Sequence, residues 1–283
     1  MIRQLVLLKL GLVSLSLLFW WGGEIGSAKE SEAEVVQYTP VWQVGVSPTL
    51  PGVSYVVLDV ESGSVLLESE GERVRPLASV TKLLAACELR RLTNLNDTSI
   101  RLTTGDIDAP GRSGRLSAGE VYTAYELLFP LLLESSNDAA AALDRNYPAQ
   151  LEVINKSLGK HSVALADYSG LSDLNQGSPQ GVAAAASDCL QTDRHLFDIT
   201  RLKARVGEYV TWSNNSPVLD EAYRGGKHGY TEAAGRTIVA VVEEVVQPHG
   251  VTRELIYVIL GSENLALDLE RLRYAVATTA RFE

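Results

Sequence analysis

The sequence predicts an α+β fold in which an antiparallel sheet is flanked by helices and carries an all-helical subdomain. Three observations support this prediction. Two runs rich in β-forming residues, at 53–60 and 65–68, are joined by a turn and read as a hairpin. Helical patterns separated by loops rich in Gly, Ser and Asp fill about residues 100–196, and strand patterns return from about residue 214. A hairpin, a block of helices, further strands and a closing helix are typical of an α+β domain.

Capping and turn signals divide the chain after residue 100 into separate elements. They predict helices at 122–133, 148–158, 179–190 and from 262 onward, and strands at 225–231, 237–246 and 254–260. The first of these helices follows a capping box at Ser117–Glu120, and the next two open with a proline. The last helix is expected to be capped by Ser262.

The composition limits the classes of function. The chain has 283 residues, 46% hydrophobic and 21% charged, which is enough for one large or two small domains. A net charge of −10 without a run of Lys or Arg argues against nucleic acid or an anionic membrane surface as a partner. The four histidines are not spaced as metal ligands, so we predict no metal and no cofactor. Cys87 and Cys189 lie in apolar helical patterns, which favours buried free thiols over a disulfide.

The first 28 residues look like a targeting segment. Arg3 and Lys9 are followed by an apolar run at 10–21 and by small residues at 26–28 that suit cleavage. Because this run is shorter than the roughly 20 residues that a membrane span needs, we expect a signal peptide, with an uncleaved N-terminal anchor as the alternative. In both cases the rest of the chain is exported. Residues 29–52, acidic and then broken by prolines, are predicted to be a linker to a domain at 53–283.

The helix predicted at 77–92 carries a potential nucleophile. Ser79 and Lys82 are three residues apart and therefore lie on one face. An amine within hydrogen-bonding reach can act as the base for a serine hydroxyl if burial or a second cation lowers its pKa. The apolar residues that follow predict a buried helix. By itself, however, the spacing is equally typical of an N-capping serine followed by a solvated lysine.

Two further motifs lie on a loop and on a strand. Ser135-x-Asn137 falls between predicted helices, and Lys227-x-Gly229 begins a predicted strand, where the glycine lets the backbone approach a ligand. Alone, Lys227 is better explained as a solvated lysine on an edge strand. The Ser-x-Asn spacing occurs three times, at Ser135/Asn137, Ser213/Asn215 and Ser262/Asn264. Only the first lies between the other two motifs, and the three motifs in this order make a much more specific signal.

With these motifs the chain resembles the serine-type D-alanyl-D-alanine carboxypeptidases, which are low-molecular-weight penicillin-binding proteins. The resemblance runs from about Val53 to the C-terminal helix and implies a β-lactamase/transpeptidase-like fold. The segments that carry it are Val56–Asp59, Arg75–Lys82, Ser135–Ala140, Asp167–Leu171 and Lys227–Thr231.

The resemblance implies a penicillin-sensitive carboxypeptidase that trims peptidoglycan stem peptides through an acyl-enzyme, in the periplasm or at the outer face of the cytoplasmic membrane. Ser79 would be the nucleophile, Lys82 its base and Ser135 the proton donor to the leaving D-alanine. Residues implied to bind the substrate are Asn137, Lys227, His228, Gly229, Tyr230 and Thr231. β-Lactams would be covalent inhibitors.

The chain departs from the family at position 228, where a histidine replaces the usual Thr or Ser, and this leaves open what recognises the substrate's terminal carboxylate. It also stops at Glu283, without the second domain and anchor of many relatives, so any membrane attachment is expected at the N-terminus. Two alternatives remain. One is a non-catalytic sensor of β-lactams or wall peptides, in which His228 spoils the pocket. The other is a serine β-lactamase, although Leu171 stands where class A enzymes have a glutamate.

Overall fold

The computed structural model describes residues 42–111, 114–246 and 250–282. The predicted targeting segment at 1–28 and the predicted linker as far as residue 41 lie outside the described residues. Within the described ranges, no helix combines the length and the apolar composition needed to cross a membrane.

The described residues form seven α-helices and fourteen strands. The helices are α1 (Val80–Leu92), α2 (Thr104–Ile107), α3 (Asn137–Asn146), α4 (Gln150–Leu158), α5 (Pro179–Thr192), α6 (Arg194–Arg201) and α7 (Leu265–Thr279), with a π-helical turn at Pro130–Glu134 and a 3₁₀ turn at Gly159–His161. The strands are β1 (Trp42–Gln43), β2 (Ser54–Asp59), β3 (Val65–Ser69), β4 (Arg75–Pro76), β5 (Ser99–Arg101), β6 (Val121–Thr123), β7 (Val163–Ala164), β8 (Gln176–Gly177), β9 (Ala204–Val206), β10 (Thr211–Ser213), β11 (Tyr223–Thr231), β12 (Gly235–Val246), β13 (Val251–Ser262) and β14 (Arg281–Phe282).

Five of these strands form the central sheet, which is antiparallel throughout and has the order β11-β12-β13-β2-β3. Both faces of the sheet are covered. On β13, Ile256 and Val258 join a core shared with α1 and α5, whereas Tyr257 and Ile259 join a second core beneath α7. Successive side chains of a strand point to opposite faces, so a sheet covered on both sides reads as a continuous apolar run. β11 lies at one edge of this sheet and contacts α1, which brings the third motif beside the first.

The prediction of a helix at 122–133 was wrong. Residues 121–123 form β6, which pairs with β5. The Glu120 carboxylate does accept the Ser117 N–H, but the reciprocal cap lies three residues later, where Thr123 and Glu126 each hold the other's backbone N–H. Pro130 then removes an N–H from the ladder, and the chain continues as a wider π-helical turn.

Two predicted boundaries also differ from the structure. The C-terminal helix is capped by Asn264, whose Oδ1 accepts the Leu267 N–H, while the Ser262 hydroxyl donates to Asp268 instead. The end of the predicted linker is part of the fold. Trp42 and Leu50 are buried in the core beneath α7, and the Trp42 indole N–H donates to Asp59 at 3.0 Å.

The prediction of two free thiols was wrong, because Cys87 on α1 and Cys189 on α5 form a disulfide. Their Cα atoms are 5.8 Å apart, although 102 residues separate them in sequence. Each apolar helical pattern correctly indicated a buried cysteine, but the sequence around either cysteine does not show that the two helices face each other.

We expect the double variant Cys87→Ala/Cys189→Ala to unfold at a lower urea concentration than the wild type. A disulfide closing a loop of this length restricts the unfolded chain, so the expected loss in the free energy of unfolding is about 2–4 kcal/mol. Wild-type protein in reductant should match the variant, and the variant should not respond to reductant. Two free thiols in the oxidised wild type, counted by mass spectrometry after alkylation, would contradict the assignment.

Candidate active site

The three motifs meet at one cleft of about 840 Å³. It lies between the start of α1, the end of the π-helical turn, β11 and the start of α7. All the predicted site residues except Lys82 and Lys227 line it, namely Ser79, Ser135, Asn137, His228, Gly229, Tyr230 and Thr231. Lys82 lies directly beneath Ser79, and Lys227 is buried on β11.

Ser79 occupies the N-cap position of α1, but its side chain makes no capping hydrogen bond. The preceding residue, Ala78, has a φ of 48°, which is an uncommon backbone conformation for a residue other than glycine. Two glycines press against this turn. A Cβ on Gly170 would lie 1.9 Å from the Ala78 carbonyl oxygen, and a Cβ on Gly229 would lie 2.4 Å from the Ser79 nitrogen. Only glycine allows these two backbones to pack against the turn that carries Ser79.

Lys82 is fully buried, and its Nζ lies 3.2 Å from Ser79 Oγ. The amine also donates to Asn137 Oδ1 at 2.9 Å and to the Ser169 carbonyl at 2.5 Å. A neutral amine has two N–H donors and one lone pair. Because the two carbonyl oxygens take both donors, the lone pair is left facing the Ser79 hydroxyl. The geometry therefore suits Lys82 as the base, and it excludes the alternative of a capping serine with a solvated lysine.

Burial lowers the pKa of Lys82 from 10.5 to about 7, with the Asp167 carboxylate acting in the opposite direction. An isolated ammonium is costly to bury, so the neutral form is favoured. The main cause is burial rather than a second cation. At neutral pH a substantial fraction of Lys82 can therefore accept a proton.

The Asp167–Leu171 loop supplies the Ser169 carbonyl that holds Lys82. Burial would raise the pKa of Asp167, but hydrogen bonds from the backbone N–H groups of Gly170 and Ser172 and from the side chains of Ser169 and Asn175 lower it overall. The ionised carboxylate thus fixes the turn. Asn175 is also fully buried, and its Oδ1 accepts the backbone N–H of Asp167.

The second motif presents one hydroxyl and one fixed carboxamide. Ser135 has a φ of 62° at the end of the π-helical turn, and its hydroxyl has no hydrogen-bonding partner among the described residues. It is thus available to a molecule in the cleft. Asn137 accepts from Lys82 through Oδ1 and donates to the Pro110 carbonyl through Nδ2 at 2.9 Å, so the orientation of its carboxamide is set.

The third motif is divided between the cleft and the interior. His228, Tyr230 and Thr231 line the cleft, whereas Lys227 is 2% exposed and its Nζ donates to the His228 carbonyl at 2.7 Å. Lys227 is therefore not the solvated edge-strand lysine that its sequence context alone suggested.

The predicted site set lacks four polar residues that line the cleft, namely Asn215, Arg236, Glu263 and Asn264. Arg236 pairs with Tyr230 across β11 and β12, and its guanidinium lies 5.4 Å from the centre of the Tyr230 ring. The register of that hairpin would have indicated this position. Asn215 belongs to one of the repeated Ser-x-Asn spacings, which gave no signal of their own.

In the part of the chain that is described, no group of three or more His, Cys, Asp or Glu could hold a metal ion.

The sequence of this chain matches a family model and several known proteins. The family model described as D-alanyl-D-alanine carboxypeptidase matches residues 43–264. A D-alanyl-D-alanine endopeptidase from Haemophilus influenzae is 28% identical over 202 residues, covering 66% of this chain and 69% of that protein. A D-alanyl-D-alanine carboxypeptidase from Mycobacterium tuberculosis is 28% identical over 211 residues, covering 68% and 70%. Two further relatives, from Escherichia coli and Pseudomonas aeruginosa, are also named endopeptidases.

Solved structures confirm the predicted fold. The crystal structure of D-alanyl-D-alanine carboxypeptidase from M. tuberculosis superimposes with a TM-score of 0.70 at 23% identity, covering 84% of this chain and 96% of that one. A mutant of the Streptomyces K15 DD-transpeptidase gives a TM-score of 0.70 at 19% identity, covering 81% and 99%.

We expect the rate at which a β-lactam acylates Ser79 to rise with pH and to level off above about pH 7. The neutral amine is the active form, so below a pKa of about 7 the rate should fall about tenfold for each pH unit. Stopped-flow measurement of acylation gives the profile. Lys82→Arg, whose guanidinium stays protonated, should be slow at every pH. A flat profile, or fast acylation of Lys82→Arg, would show that another group takes the proton.

Gly229→Ala should slow acylation at least about a hundredfold, because the new Cβ would push β11 away from the Ser79 N–H. Gly159→Ala is the matched control, since a Cβ there meets nothing within 4 Å. The same acylation assay compares the two variants. Equal rates for Gly229→Ala and the control would mean that the close approach of β11 is not needed for the chemistry.

Proposed function

Since this chain belongs to the D-alanyl-D-alanine carboxypeptidase family, we propose that its cleft hydrolyses the terminal D-alanyl-D-alanine bond of peptidoglycan stem peptides through an acyl-enzyme on Ser79. Membership of that family makes the protein a serine peptidase of the hydrolase class. The observation that carries the proposal is the buried Lys82 amine, whose Nζ lies 3.2 Å from Ser79 Oγ and also contacts the carbonyl oxygens of Asn137 and Ser169.

In the acylation step, Ser79 Oγ attacks the carbonyl carbon of the penultimate D-alanine while Lys82 takes the hydroxyl proton. The backbone N–H groups of Ser79 and Tyr230 stabilise the oxyanion, a contribution of about 3–4 kcal/mol in comparable sites. When the C–N bond breaks, Ser135 gives its proton to the leaving D-alanine nitrogen. Lys82 then returns the first proton to Ser135, so that both groups regain their starting state.

Water completes the reaction. Lys82, again neutral, takes a proton from a water molecule as the water oxygen attacks the ester carbonyl. The bond from the carbonyl carbon to Ser79 Oγ then breaks, and the proton on Lys82 returns to that oxygen. The shortened peptide leaves with a new carboxylate, and no external reactant other than water is consumed.

The substrate's terminal carboxylate fits the end of the cleft formed by β11 and β12. Thr231 and His228 line the cleft there, and Arg236 adds a guanidinium to the same cleft. Lys227 would contribute its charge from within the strand. Asn137 would hold the substrate amide with the second N–H of its Nδ2. These groups supply the recognition that a hydroxyl at position 228 would give in the family's usual motif.

The proposed place of action is outside the cytoplasm. A peptidoglycan substrate requires export, and the predicted targeting segment would provide it. The Cys87–Cys189 disulfide supports this location, because disulfides persist mainly in oxidising compartments. Membrane attachment through the N-terminal segment stays a prediction.

Two alternatives are less well supported. A sensor that only binds wall peptides would not need a base of lowered pKa in contact with the nucleophile, whereas a β-lactam sensor would be labelled on Ser79 without hydrolysing a peptide. A β-lactamase would need a group that activates water for rapid deacylation, yet Leu171, which stands where class A enzymes have their glutamate, brings only an apolar side chain to the cleft. We therefore expect the β-lactam adduct to be long-lived.

Endopeptidase activity is a second candidate function, because three of the curated relatives carry that name. Both activities would use the same nucleophile and base, and they differ only in the leaving group on the amine side of the scissile bond. Comparing D-alanine release from a pentapeptide with cleavage of a cross-linked dimer of stem peptides separates the two.

We expect penicillin to add its mass to Ser79, and Ser79→Ala to lose both this label and at least about a thousandfold in pentapeptide hydrolysis. Peptide mapping by mass spectrometry locates the label. Thermal denaturation checks that the variant remains folded. Labelling of any other residue, or labelling without hydrolysis of either a pentapeptide or a cross-linked peptide, would overturn the proposed function.

A further inference from the structure

We propose that Asn215 is a positioning residue that holds Ser135 in place for protonation of the leaving amine, an inference that rests on the proposed function of Ser135. Asn215 lines the cleft but belongs to none of the three sequence motifs. It lies on the segment 213–215, at the end of β10 and far in sequence from the π-helical turn.

Ser135 needs external support because of where it lies. A helix leaves its last carbonyl groups without partners. The π-helical turn ends immediately before Ser135, and Ser135 itself has a left-handed backbone conformation. Asn215 satisfies two of these carbonyls. Its backbone N–H donates to the Leu133 oxygen at 3.0 Å, and its Nδ2 donates to the Glu134 oxygen at 2.9 Å. One residue thus holds both peptide units that lead into Ser135.

The Glu134 side chain adds a second attachment to the same segment. Its carboxylate accepts the Ser213 backbone N–H at 2.9 Å and pairs with Arg115, which also donates to the Thr211 carbonyl. Glu134 is therefore held through its backbone by Asn215 and through its side chain by Ser213 and Arg115. The residue before Ser135 has little freedom to move.

The neighbouring asparagine anchors the segment on its other side. Asn214 Nδ2 donates to the carbonyls of Thr200 and Leu202 at 2.7 and 2.9 Å, at the end of α6, and the adjacent Trp212 is buried. The two asparagines have the same chemistry, but only Asn215 faces the cleft. Asn214 thus contacts the end of α6 and not the π-helical turn, which makes it a matched control for Asn215.

Among the described residues, the Asn215 carboxamide makes one hydrogen bond, from Nδ2 to the Glu134 carbonyl. Its Oδ1 is buried and has no hydrogen-bonding partner among the described residues. Leaving such an atom unpaired costs about 1–3 kcal/mol, and native proteins rarely tolerate this without a functional reason. The side chain keeps an orientation that leaves its oxygen unsatisfied, and in that orientation its nitrogen holds the Glu134 carbonyl.

A displaced Ser135 should affect one kind of leaving group more than another. An amine must gain a proton as the C–N bond of a peptide breaks, whereas a thiolate can depart from a thioester without one. Loss of the Asn215 contact should therefore slow cleavage of an acyl-D-Ala-D-Ala peptide more than cleavage of a thioester with the same acyl group. The ratio of the two kcat/KM values does not depend on how much enzyme is correctly folded.

The test measures this amide-to-thioester ratio for the wild type, Asn215→Ala, Asn215→Asp and the matched control Asn214→Ala. Each Asn215 variant should lower the ratio at least about tenfold, as expected for one lost hydrogen bond near the reacting atoms. Asn215→Asp keeps the size of the side chain but places an acceptor against the Glu134 carbonyl. Asn214→Ala should leave the ratio unchanged even if it lowers stability. An unchanged ratio in both Asn215 variants would overturn the proposal.

Ser135→Ala separates this inference from the function on which it rests. In that background, Asn215→Ala should change the ratio no further, because the proton donor is already absent. A further fall of the same size would show that Asn215 acts independently of Ser135 and would overturn positioning. An unchanged ratio in Ser135→Ala alone would overturn the role of Ser135 and the positioning role with it. A lowered ratio in Ser135→Ala with no effect of Asn215→Ala would overturn only the role of Asn215.

Discussion

Burial of the Lys82 amine is the constraint on which the other parts of the site depend. Three segments distant in sequence must each bring an oxygen atom to within hydrogen-bonding distance of one nitrogen. One belongs to the turn that carries Ser79, one to the start of α3 and one to the loop that Asp167 shapes. If any of them moved away, water could reach the amine and stabilise its charged form, and the amine could no longer act as the proposed base. The packing around Lys82 thus sets both the geometry of the site and its protonation state.

This burial opposes the stability of the fold. Lys82 has a folded pKa of about 7, below the ordinary lysine value of 10.5, so at neutral pH it takes up a proton on unfolding. The corresponding loss is roughly 4 kcal/mol at pH 7 and disappears as pH rises through 10.5. A sheet packed on both faces and a disulfide between α1 and α5 provide stability that can offset this loss. The tightly packed surroundings that keep Lys82 neutral therefore also stabilise the fold against the cost of burying this amine.

Sequence patterns predicted the features that depend on neighbours along the chain. Ser79 and Lys82 share one helical turn, and β2 and β13 are dense in residues that suit strands. The features that depend on distant partners were missed. The pairing of Cys87 with Cys189 and the contact of Asn215 with the π-helical turn arise only after the chain has folded. The false helix at 122–133 had a different cause, since the expected cap at Ser117 and Glu120 precedes a strand, whereas the reciprocal cap lies at Thr123 and Glu126.

The disulfide has a consequence for the covalent topology of the enzyme. It joins α1, the helix that carries Lys82, to α5, and the intervening residues include the second motif and the Asp167 loop. This whole part of the chain, with its many loops, is therefore a closed covalent ring. A protease that cut any one of those loops would open the ring without releasing a fragment, and the two ends would stay attached through α1 and α5. For a protein proposed to work outside the cytoplasm, a nicked molecule would remain a single covalent unit.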